Sequence, residues 1–120
     1  MADDDFSPAF ERIRRLASEA GLPGVEEGTS YRTPALKVRG KGFLRLKDTD
    51  TLVLLLPLEE KVFLLEAAPE IYFETDHYRG WPALLVRLSA IGDEELRGRL
   101  AQAWRHKAPK TLLRELDGRG

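Results

Sequence analysis

Two hydrophobic periodicities alternate along this chain, and each marks a different kind of element. Phe10, Ile13, Leu16, Ala17 and Ala20 recur at helical spacing, with Glu11, Arg12, Arg15 and Glu19 opposite them. Ser7 and Pro8 supply a hydroxyl cap and a residue suited to a first turn, and Gly21 and Pro23 stop the run, which predicts a helix over residues 7–20. Strand patterns follow at 25–31, 35–39, 43–47 and 51–56, the last almost wholly apolar and therefore central. Asp48-Thr49-Asp50 reads as a turn between the last two. Pro57, Glu59 and Glu60 open a second helix whose apolar stripe is Leu58, Val62 and Leu65, and Pro69 ends it. Residues 70–74 and 83–88 read as two more strands around an irregular segment, 75–82. Asp93, Glu94 and Glu95 open a third helix with Leu96, Leu100, Ala103 and Trp104 as its core positions. Pro109 ends that helix, and residues 110–120 form a short tail with a further helical turn at 111–116.

The resulting order is α-β-β-β-β-α-β-β-α. Connections this short between consecutive strands imply antiparallel pairing, because a parallel crossover needs a dozen or more residues. The predicted fold class is α+β: a two-layer sandwich, an antiparallel sheet of about six strands with helices on one face. A single domain spans residues 1–120, with residues 1–6 as a flexible acidic N-terminus.

Composition narrows the function classes. The chain is 42% apolar and 32% charged, which suits a globular domain. It contains no cysteine, so disulfides, cysteine–metal sites and thiol catalysis are excluded. The longest apolar run, residues 52–58, is seven residues long and includes a proline, far short of a membrane span. With an acidic N-terminus lacking a signal layout, the expected location is cytoplasmic, without membrane contact.

Charge is where the chain becomes informative. The net charge is −1, yet residues 32–47 carry six positive charges and no negative one. In a hairpin, successive side chains point to opposite faces, so Lys37, Arg39, Arg45 and Lys47 are expected to share a cationic face. Arg32 and Lys41 lie at its ends, and Phe43 joins the face by parity as a ring on which a base stacks. Such a patch attracts phosphates in a salt-sensitive, sequence-independent way. Solvated cations also keep a sheet surface from aggregating, so charge alone does not make a site. A second candidate is the loop, where His77, Tyr78, Arg79 and Trp81 cluster. Asp76 beside His77 is no acid–base pair by adjacency alone, because neighbouring side chains in extended chain point apart. The basic third helix reads as a solvated face, its last cations suiting a helix C-terminus. No HExxH, GxGxxG, GxxxxGK or GxSxG pattern is present, so no catalytic residue, metal or cofactor is expected.

Three segments resemble the MmcQ/YjbR-like family. They are Tyr31-Arg32-Thr33-Pro34-Ala35-Leu36-Lys37-Val38-Arg39-Gly40-Lys41, the run from Pro69-Glu70-Ile71-Tyr72-Phe73 through His77-Tyr78-Arg79-Gly80-Trp81-Pro82 to Leu88, and Ala103-Trp104-Arg105 with Ala108-Pro109-Lys110. The resemblance implies a small α+β domain related in fold to secretion chaperones and to frataxin-like (CyaY-like) proteins. It also implies DNA binding, without naming the residues responsible. A frataxin-like iron role fits poorly, since the first helix carries Arg12, Arg14 and Arg15.

The expectation is a non-enzymatic binding domain that engages nucleic acid through phosphates, as a monomer or small homo-oligomer. The alternative is a protein-interaction or chaperone-like module that holds a peptide on its open sheet face and aromatic loop.

Overall fold

The computed structural model describes residues 5–118, and the expected flexibility of residues 1–4 lies outside them. Its elements are α1 (Ser7–Glu19), β1 (Val25–Ser30), β2 (Thr33–Val38), β3 (Lys41–Leu46), β4 (Thr51–Leu55), α2 (Leu58–Ala67), β5 (Tyr72–Phe73), β6 (Ala83–Arg87), α3 (Asp93–Lys107) and α4 (Lys110–Asp117). A 3-10 turn at Asp76–Tyr78 lies between β5 and β6. The sheet is antiparallel in the order β1-β2-β3-β4-β6-β5, as short connections require. Within the expected tail, the helical turn expected at 111–116 is part of a longer helix, α4, and its Leu112 enters the core.

Alternation splits the sheet into two unequal faces. Leu36, Leu44, Leu54 and Leu84 lie side by side in register and pack beneath α1 and α3 in the main core. Ala35, Arg45, Val53, Leu85 and Phe73 form the next row and point to the opposite, open face. There a smaller cluster of Val53, Ala83 and Leu85 is flanked by Leu55, Phe73 and Tyr78.

Polar anchors hold the helices in place. The Arg12 guanidinium donates to the carbonyls of Leu88 and Ile91 and to Asp93, which also takes Arg15. Bonds from Arg12 first, then Arg15, hold the Asp93 carboxyl below its ordinary pKa. Tyr72 donates its hydroxyl to Glu95 and accepts from Arg99, and burial is the main force raising its pKa to about 12. The Trp104 indole donates to the Pro23 carbonyl, 3.0 Å away, consistent with its expected core position.

Three local expectations are corrected. Ser7 does not cap α1; Asp5 accepts the backbone N–H of Ser7 instead. The stripe of α2 is not Leu58, Val62 and Leu65: its buried residues are Lys61 and Leu64, while Leu58 and Val62 are exposed. Phe43 is not on the cationic face. Lys37 pairs with Gly42 and Leu36 with Leu44, so Phe43 is the extra residue of a β-bulge. The bulge breaks the two-residue period, and Phe43 turns into the helix-side core beside Leu44, fully buried.

A buried ring and a surface ring respond differently to truncation. Phe43→Ala is expected to destabilise the domain by about 3–5 kcal/mol in urea unfolding, the range for a core aromatic. A change within about 0.5 kcal/mol, typical of surface positions, would place the ring outside the core.

A candidate binding groove on the open sheet face

The hairpin turns decide where the cations go. Ser30 pairs with Thr33, which leaves Tyr31 and Arg32 as a two-residue turn, at φ 52° and 68°. Val38 pairs with Lys41, so the next turn is Arg39-Gly40, at φ 50° and 79°. Both have the left-handed geometry that matches strand twist in tight hairpins. Arg32 and Arg39 are therefore exposed at turn positions, and Lys41 is exposed at the first position of β3. A methyl group at Gly24 would lie 4.0 Å from the Arg39 Nε and 3.1 Å from Leu112, which puts Arg39 toward the helix side. Lys47 is exposed just beyond β3.

Of the seven hairpin candidates, Lys37 and Arg45 line the groove. Lys37 lies flat across β1, where Gly28 leaves room: a Cβ there would meet the Lys37 Cε at 3.3 Å. Arg45 is half-buried on β3. Its guanidinium sits 4.8 Å from the centre of the Tyr31 ring and donates to the Tyr78 hydroxyl at 2.5 Å. Neither Lys37 nor Arg45 has an ion-pair partner among the described residues, whereas Arg12, Arg14, Arg15, Arg97, Arg99 and Arg105 all do.

The 75–82 segment forms the opposite wall of a groove of about 1160 Å³. Val53, Leu55 and Ala83 line it from the sheet, Tyr31 and Lys37 from the hairpin, and His77, Tyr78 and Trp81 from the loop. Lys107 reaches it from the end of α3. No carboxylate lines it among the described residues, in a chain with twenty acidic residues. Of the loop candidates, Arg79 is not part of the lining; it pairs with Asp76 at 2.7 Å. His77 is exposed, its ring edge-on to Tyr78 at 4.8 Å, and Asp76 is committed to Arg79.

Sequence reasoning missed the residue that shapes this wall. Lys61 is 1% exposed, and its ammonium donates to the Tyr78 carbonyl at 2.7 Å and the Trp81 carbonyl at 2.8 Å. It also pairs with Glu74 at 2.8 Å. All three ammonium protons thus have an acceptor, which is what makes a buried lysine tolerable. Tyr31 and Lys107 were also not foreseen as lining residues; one looked like a strand end, the other like a helix-terminal cation. Among the described residues, no group of three or more His, Asp or Glu is placed to hold a metal ion. No helix there is long and apolar enough to cross a membrane.

The sequence profile described as YjbR matches residues 20–106, which include every strand and most of the groove lining. An uncharacterized protein of Mycobacterium bovis and uncharacterized proteins of two Mycobacterium tuberculosis strains are each 42% identical over 53 residues. That match covers 44% of the chain and 41% of each relative, so the chain spans under half the length of the relatives it matches. No solved structure matches the chain.

Replacing the buried ammonium tests how the loop is held. Lys61→Met leaves two carbonyls and a carboxylate without their donor and is expected to lose about 3 kcal/mol of stability. Hydrogen exchange at residues 75–82 should speed up more than in the core strands. Uniform exchange across the domain would contradict the anchoring role.

Proposed function

The chain belongs to the YjbR family, and we propose that it is a non-enzymatic domain that binds nucleic acid in the open-face groove. One observation carries this reading. Arg45 is held between the Tyr31 ring and the Tyr78 hydroxyl, with free donors and no carboxylate partner, in a groove no carboxylate lines. A guanidinium so placed suits a phosphate, which it can meet with two parallel hydrogen bonds. Lys37 and Lys107 add two further cations along the lining.

The reading differs from a basic-hairpin footprint in scale. Two or three phosphates are contacted, not six, so affinity is modest and the domain's slightly acidic balance is no obstacle. A non-enzymatic role is favoured by the lining itself, which offers no acid–base pair and no activated nucleophile. The groove's position on rigid strands rather than a recognition helix favours sequence-independent contact.

Fluorescence anisotropy with a labelled oligonucleotide across a salt series checks this directly. Two to three contacts on a single strand predict a slope of log affinity against log salt of about −1.4 to −2.1. Arg45→Glu should lower affinity at least about tenfold, the effect of losing one charge-assisted contact. Lys110→Glu, the same reversal on α4 outside the groove, should leave it nearly unchanged. Equal losses in both variants, or no binding by the unaltered protein, would count against the reading.

A further inference from the structure

Resting on that reading, we infer that the groove takes a single-stranded segment, RNA or DNA, with bases stacked on Tyr31 and Trp81 and phosphates on Lys37 and Arg45. The first ground is the conformation of Tyr31. Both turn residues occupy the left-handed region, where Asn-Gly sits without strain and a bulky ring does not. Tyr31 is 84% exposed, so burial does not offset that strain. What the geometry achieves is placement: the ring is held over the mouth of the groove against Arg45. The second ground is Trp81, 64% exposed on the opposite wall. Its amide donates to the Tyr78 carbonyl at 3.0 Å, and its own carbonyl is fixed by Lys61. Backbone rigid and side chain open to solvent is the arrangement of a preorganised contact rather than of a core residue.

The third ground is shape and charge together. Duplex affinity comes from many phosphates along a convex backbone, and the base faces are hidden in the stack. This groove offers three cations and two rings along a concavity with walls on both sides. Unstacked bases supply the faces those rings need, and stacking tolerates any base.

Anisotropy with labelled single-stranded DNA, single-stranded RNA and a duplex of the same length, on the full chain, tests the inference. Both single strands should bind more tightly than the duplex. Trp81→Ala should weaken them by roughly five- to hundredfold without changing the salt slope. Tyr31→Asn keeps every charge and relieves the turn, so binding should fall while the unfolding temperature stays level or rises. That combination separates lost stacking from lost folding. If the duplex binds as well as the single strands and both ring variants keep full affinity while Arg45→Glu loses it, single-strand stacking is overturned and phosphate recognition stands. If no oligonucleotide binds, or a peptide alone does, the underlying reading falls with it.

Discussion

One buried ammonium group sets the geometry of the open face. Lys61 reaches from α2 into the gap under residues 75–82 and binds the carbonyls of Tyr78 and Trp81 together with Glu74. A buried lysine is costly unless all its protons are satisfied, so the loop has little freedom to rearrange around it. Everything the groove presents on that wall depends on this constraint. Tyr78 is placed so that its hydroxyl meets Arg45 on β3, tying the loop to the far hairpin across β4. Trp81 is held at its backbone and left exposed at its ring.

The electrostatics follow from pairing rather than from totals. Most of the arginines that flank the helices are neutralised locally: Arg12 and Arg15 by Asp93, Arg14 by Glu11 and Glu27, Arg97 by Glu19. Exposed pairs of this kind contribute little stability and cancel much of one another's field. Lys37 and Arg45 keep their charge uncompensated beside apolar strands, where the field is screened less than in open water. A chain of net charge −1 thereby carries a cationic groove.

The fold was legible in the sequence because its signals are local. Helical spacing from Phe10 to Ala17, a pure apolar run at 52–56 and short polar turns led to the α+β order and the antiparallel sheet. The site was half legible. Charge alternation picked out Lys37 and Arg45, and residue type picked out Tyr78 and Trp81, yet nothing local joined the two segments, which meet only through sheet order. Phe43 was misplaced because a bulge changes the period by one residue and leaves little trace beyond a glycine at 42. Lys61 was invisible for another reason. A lysine among Leu58, Val62 and Leu65 reads as the solvent side of a helix, and two of its three partners are carbonyls, which no side-chain pattern records.

The central claim is spatial: ligand contact belongs to the Arg45 groove. Amide chemical-shift mapping with a short single-stranded oligonucleotide asks that question without any substitution. The account predicts perturbations concentrated at Tyr31, Lys37, Arg45 and residues 77–81, with α1 and α4 silent. Perturbations centred on the exposed face of α2 around Leu58, Val62 and Phe63, or along the free edge of β1, would contradict it.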